Sequence, residues 1–230
     1  TGGVLAAATL TIGRLEGVTR AAVAVVVPAV HHSVVLLDVG GTVDATPELL
    51  AQFANSGRAF AIALGLSDDP AVGLLTIGSE PGKGDALRRL AHDEFLDLNL
   101  RYVGPVEGDD VALGGIADVI VTDGFTGNVV LKAIEGAALN TAAGMDAYIL
   151  SDRASWLNFG NKGTLALLFA GDPVLFNQYA YLPVSVEKHA HVKGELAAKL
   201  EEWLTSPRAA ELINGYTING ETLFTFNATN

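Results

Sequence analysis

The chain has no cysteine, so disulfides, thiolate metal sites and a thiol nucleophile are all excluded. Cysteine-free chains are common among engineered proteins, which gives a hint of design. Basic residues are scarce as well: 14 Lys and Arg stand against 26 Asp and Glu, for a net charge of −12. The 14 are scattered, whereas a nucleic-acid groove or an anionic-membrane patch needs them clustered. Neither partner is expected. Long hydrophobic runs are missing too. Half of the residues are hydrophobic, yet no stretch reaches the ~18 consecutive apolar residues of a membrane span. No basic, apolar and cleavage pattern opens the chain, so a cytoplasmic location is expected. Internal repeats and low-complexity linkers are also absent.

What is there is an alternation of strands and helices. The longest apolar runs, 21–30 and 34–37, are strand-length and read as strands buried on both faces. An Ala-rich helix is expected over 4–14. Strands are expected at 21–27, 34–38, 72–77, 100–103 and 118–122. Pro47 starts a helix to about Leu64, and Asp85 caps one to about Leu96. Thr126 caps a long helix over 127–146. Beyond it, 148–150, 165–169 and 179–186 read as strands and 191–204 as an amphipathic helix. Ser206 and Pro207 open a last short helix to about Asn214, and 215–230 is a strand or tail. This order predicts one three-layer α/β/α domain over 1–230, with a mostly parallel, doubly wound sheet. Strands of the C-terminal part would join that sheet.

Ligands of such sheets sit at the carboxyl ends of the strands. Four polar or glycine-rich turns follow strand ends, at 38–44, 78–85, 104–110 and 123–128, and would share one rim. They carry recognisable motifs: LLDVGGTVDATPELL (36–50), VGLLTIGSEPGKGDAL (72–87), YVGPVEGD (102–109) and ADVIVTDGFTGNVVLKAIEG (117–136). With TGGVLAAATLTIG at 1–13, they make residues 1–138 resemble the bacterial phosphate acyltransferase, which forms acyl phosphate from acyl-carrier protein and phosphate. The resemblance implies an acyl-transfer site at the rim. Lys83 would supply a cation to phosphate, and Gly78, Gly82 and Gly84 backbone N–H groups. Asp38, Asp44, Glu107 and Asp123 are candidate orienting or proton-handling carboxylates. Asn128 and Lys132 lie on the first turns of the long helix. Pro105 and Asp109 depart from the pattern, standing where the family has asparagine and arginine. The family's upstream strand and loop, and its helical hairpin after residue 136, are expected to be missing.

A second set of motifs follows: LNTAAGMDAYILSDRASW (139–156), AGDPVLFNQY (170–179), VEKHAHV (186–192), WLTSP (203–207) and YTINGETLFTF (216–226). They resemble the C-terminal part of the tungstate-type substrate-binding protein of ABC importers. That implies a strand over 148–153 facing a cleft, with Ser151 and Arg153 as donors to an oxyanion. The two segments would join within a helix around 132–141. A cut inside a helix that discards parts of both parents points to recombination or engineering. The expected function is accordingly that of a chimera without evolved catalysis, binding phosphate or another small oxyanion weakly at the rim. The alternatives are a phosphate acyltransferase and a tungstate- or molybdate-type oxyanion-binding protein.

Other motifs carry less. The loop 78–84 fails the Gly-x4-Gly-Lys-Ser/Thr spacing, and its simplest role is a strand-to-helix turn needing positive φ. His31 and His32 point to opposite faces of a strand. His189 and His191 lack a third ligand, so no metal is expected. Asp123–Gly124–Phe125 has no other kinase feature around it, and Ser151 lacks a nucleophile elbow. Trp156 and Trp203 read as core or core-edge residues. No cofactor is implied, and the oligomeric state is open.

Overall fold

A computed structural model describes residues 18–80, 82–173, 186–187 and 193–228. Its centre is a sheet built from apolar runs without polar alternation. Strands β2 (Val34–Leu37), β3 (Ala71–Leu75) and β5 (Val119–Val121) are buried at every residue. Such strands require cover on both faces. Together with β4 (Arg101–Val106) they run parallel, and β1 (Ala24–Val27) pairs antiparallel with β2 at the edge. The order is β1-β2-β5-β3-β4. The sheet is therefore mostly parallel, as the alternation of elements predicts. The run at 21–30 is not buried on both faces: β1 is an edge strand, in which Val27 is buried and Val26 exposed. Strand β4, the other edge, runs past the expected 100–103. It passes through a bulge at Val103–Gly104 and accommodates Pro105, whose missing N–H an edge strand tolerates.

Helix α1 (Pro47–Ala63) starts where the Leu49 N–H donates to Thr46 Oγ1 and proline occupies the first turn. Its apolar stripe, including Leu50, Phe53 and Ala54, packs with Val35, Leu37, Val119 and Val121 in one core. Gly57 marks the close approach. A Cβ there would sit 2.7 Å from Val119 Cγ1 and 2.8 Å from Leu37 Cδ2. Helix α2 (Ala86–Leu96) adds Ala91 and Phe95 to the same core. A short helix, α3 (Gly108–Leu113), and the long α4 (Gly124–Met145) follow β4 and β5. The connection from β2 to β3 leaves the slot that β5 later fills, so the carboxyl ends of β2, β5, β3 and β4 lie side by side.

The chain divides at Lys132/Ala133, inside α4, into two compact units. In the second, described helices are α5 (Arg153–Asn158), α6 (Gly194–Leu204) and α7 (Pro207–Gly215). Ser206 caps α7 by accepting the Ala209 N–H at 3.2 Å. Strands β6 (Thr217–Ile218) and β7 (Glu221–Thr222) pair only with each other. Among the described residues, no C-terminal strand joins the main sheet. The stretches 148–150 and 165–169 are not strands either: Tyr148, Leu150, Leu168 and Phe169 are exposed, and no partner among the described residues supplies a ladder. The helix expected over 4–14, most of the strand over 179–186, and His189 and His191 lie outside the described residues. No described helix is long and apolar enough to cross a membrane.

Candidate functional site at the strand-end rim

Each of the four parallel strands hands its chain to the rim through a polar residue. After β3, Thr76 donates its N–H to Val106 O (2.8 Å) and its hydroxyl to Gly78 O (2.5 Å), turning the loop across the end of β4. Gly82 and Gly84 adopt φ of +81° and +94°, a region that only glycine enters freely; Gly78 does not. Asp85 then caps α2 by accepting the Arg88 N–H at 2.8 Å. Lys83 is exposed, its ammonium 3.8 Å from Glu80. After β4, Glu107 is exposed, and its carboxylate accepts the Ser79 N–H at 3.3 Å, tying two rim loops together. Asp109 lies in the first turn of α3, where a carboxylate suits the helix dipole.

After β5, Asp123 caps α4 in place of the expected Thr126. Its Oδ1 accepts the Thr126 N–H (2.9 Å) and its Oδ2 the Thr126 hydroxyl (2.7 Å). Sequence reasoning missed the residue that binds this turn to the next loop, Arg88. Its guanidinium is buried and donates to Asp85 Oδ2 (2.9 Å), Thr122 Oγ1 (3.2 Å), Thr126 Oγ1 (3.0 Å) and Asp123 Oδ2. Burial pushes the Asp123 carboxyl up, but the Thr126 N–H and hydroxyl and the Arg88 guanidinium outweigh it. They hold Asp123 below its ordinary value. An ionised carboxylate with both oxygens engaged orients its surroundings; it has little left to move a proton with.

After β2, Asp38 is wholly buried. Its Oδ1 accepts the Val23 and Gly41 N–H groups, each at 2.9 Å. Its Oδ2 and the buried Thr42 Oγ1 have no hydrogen-bond partner among the described residues. The amino end of α4 packs against this loop: Gly124 donates its N–H to Thr42 O (2.7 Å), and Gly127 leaves no room for a Cβ beside Asp38 O. Asn128 is exposed on the first turns of α4, and a Cβ on Gly40 would lie 3.9 Å from its side chain. Lys132 is exposed further along. Asp44 is exposed on the loop leading to α1.

The remaining expected residues stand elsewhere. Arg153 opens α5 rather than lying on a strand, donating to Thr222 O (2.6 Å) and approaching Glu221 at 3.4 Å. The Ser151 hydroxyl donates to Asp152 O at 3.2 Å. His32 lies 3.2 Å from Asp118, at the amino ends of β2 and β5. A shallow depression along Lys193–Leu196 brings together no comparable set of groups. Among the described residues, no group of three or more His, Asp or Glu is disposed to hold a metal.

Residues 1–159 match the family model described as "Fatty acid synthesis protein". Curated relatives named phosphate acyltransferase include those of Thermobifida fusca, 50% identical over 143 residues (60% of this chain, 39% of the relative), and of Anoxybacillus flavithermus, 45% identical over 140 residues (60% and 42%). The Bacillus pumilus relative is 38% identical over 192 residues, covering 76% of this chain and 58% of its own. The chain thus spans between about two-fifths and three-fifths of these relatives' lengths. A partial likeness to a solved structure, the EutD phosphotransacetylase from Staphylococcus aureus, has a TM-score of 0.47 and 19% identity, over 56% of this chain and 45% of that one.

These matches overturn the expectation of a non-catalytic, engineered chimera. The family match runs unbroken through 132–141, where the splice was expected, and on to residue 159. The Bacillus pumilus match covers 76% of the chain and must cross the same stretch. No support for a receptor-derived segment accompanies them. The physical reason is that α4 there is rich in Ala and Gly, and such helices look alike in unrelated proteins.

Proposed function

The chain belongs to the family described as "Fatty acid synthesis protein", and from that premise we propose that its strand-end rim transfers an acyl group from an acyl-carrier-protein thioester to inorganic phosphate. A phosphate oxygen attacks the thioester carbonyl carbon. The C–O bond of the acyl phosphate forms, the C–S bond breaks, and the departing sulfur takes up a proton from phosphate. The polypeptide's part is to bind and orient. Lys83 and the backbone N–H groups of its loop attract the phosphate oxygens, aided by the positive end of α4. Arg88 and Asp123 fix the α4 turn against that loop. Asn128, Lys132 and Glu107 serve at the same rim, beside the reacting groups. Ser151 and Arg153 are not included.

One observation carries this reading: the turn after β5 and the loop after β3 end adjacent strands, are stitched together by Arg88, and fall inside the segment shared with the Bacillus pumilus protein named phosphate acyltransferase. The chain has no thiol of its own, so a thiol reagent reports the carrier alone. Thiol release from the acyl carrier should require inorganic phosphate. Lys83→Ala should lower its kcat/KM for phosphate about tenfold or more, the loss expected for one charge-assisted hydrogen bond. Release that is indifferent to phosphate would refute the reading.

A further inference from the structure

We propose that Glu80 is the protein's own stand-in for phosphate: its carboxylate lies beside Lys83 and over the bare backbone of Gly78, and phosphate binds by displacing it. The inference rests on the reading of the rim as a phosphate site, and adds to it the residue that sets how much phosphate the site requires.

The loop after β3 turns back on itself between Glu80 and Lys83. Lys83 donates its N–H to Glu80 O at 3.2 Å, and its ammonium lies 3.8 Å from Glu80 Oε1. The other carboxylate oxygen, Oε2, lies over Gly78. A Cβ built on Gly78 would sit 2.5 Å from it and 3.3 Å from Lys83 Cγ, so a side chain at this position would push the carboxylate aside. A second carboxylate meets the same loop one residue on, where Glu107 accepts the Ser79 N–H at 3.3 Å. An ammonium and an N–H of the phosphate-binding loop are thus both faced by anions that belong to the chain.

The place is open to solvent. The Glu80 and Lys83 side chains are 65% and 50% exposed, and a Cβ on Gly82 would meet nothing within 4 Å. An exposed pair at this separation holds weakly, so one anion can replace the other without disturbing the core. Phosphate carries more charge than a carboxylate and more acceptor oxygens, which suits it to take the ammonium and loop N–H groups together. Glu80 opposes it in two ways. Its carboxylate must first leave Lys83, and its charge then repels the bound anion. Both effects make phosphate binding weaker than it would be beside a neutral residue of the same shape.

Calorimetric titration of the whole chain with inorganic phosphate reads the proposal directly. Glu80→Gln keeps the size of the side chain and removes its charge. It should bind phosphate about two- to fivefold more tightly than the wild type, the scale of an exposed ion pair. The advantage should shrink as salt is raised. Lys83→Ala should bind more weakly than the wild type in the same titration. In the thiol-release assay, Glu80→Gln should lower KM for phosphate by the same factor and leave kcat unchanged, because the carboxylate is displaced before the reaction begins. A Glu80 that only shapes the loop for phosphate predicts the opposite sign. Equal or weaker binding by Glu80→Gln would overturn the proposal, while binding that depends on Lys83 would keep the phosphate reading in place. No phosphate binding, or binding indifferent to Lys83→Ala, would remove both. Tighter binding by Glu80→Gln without thiol release would leave this inference standing and remove the acyltransferase reading instead.

Discussion

Arg88 is a cation enclosed by two carboxylates and two hydroxyls on two neighbouring pieces of chain. Its contribution to stability differs from the cost of removing it. A buried pair gains little over a well-packed apolar replacement, but deleting one partner strands the other. Arg88→Gln should therefore destabilise the first unit by about 3–5 kcal/mol in chemical denaturation. Arg88→Lys should recover only part of this, since an ammonium cannot serve both carboxylates as a planar fork does. The Asp123 carboxyl gives the pH dependence. Its folded pKa lies below the unfolded value of about 3.9, so its stabilisation is complete above that pH and disappears as pH falls through the folded pKa. Asp123→Asn should accordingly lose less stability than the wild type between neutral pH and about pH 3, as read by denaturation midpoints. An equal loss would mean that the carboxylate titrates as it does in the unfolded chain.

At the scale of elements, Gly57 tests how closely α1 sits on the sheet. Alanine would gain up to about 1 kcal/mol of helix propensity over glycine. Against this, its Cβ would meet branched side chains of two buried strands at under 3 Å. Overpacking of this kind costs about 1–3 kcal/mol. Gly57→Ala should therefore lower the melting temperature; a rise would mean that α1 can lift off. Thr46→Ala removes the α1 cap and should cost about 1 kcal/mol. What could be read ahead of the structure follows the same physics. Strands β2, β3 and β5 and helices α1 and α2 declare themselves through uninterrupted apolar runs and local caps such as Asp85. Arg88 does not. An arginine one turn into an amphipathic helix looks solvated, and its burial is decided by Asp123, 35 residues away. The edge position of β1 depends on pairing order, which periodicity does not encode. The runs at 148–150 and 165–169 have strand-like composition but no partner, and composition alone does not supply one.

For the whole molecule, the resemblance of residues 1–138 to the phosphate acyltransferase agrees with the family match over 1–159, and the second resemblance, over 139–230, has no match behind it. Short motifs of common residues carried the second resemblance, and the family match runs past the supposed joint. The converging turns were legible because a parallel sheet places every strand's carboxyl end on one side. The unpaired state of Asp38 Oδ2 was not, because it depends on which backbone groups reach Oδ1. The rim account can be tested by following inorganic phosphate with an acyl-carrier thioester by phosphorus NMR, comparing the wild type with Lys83→Ala. A new acyl-phosphate resonance should grow in the wild type and about tenfold or more slowly in the variant. No such resonance from the wild type, or equal rates from both, would contradict the assignment of this rim as the place where the acyl group is transferred.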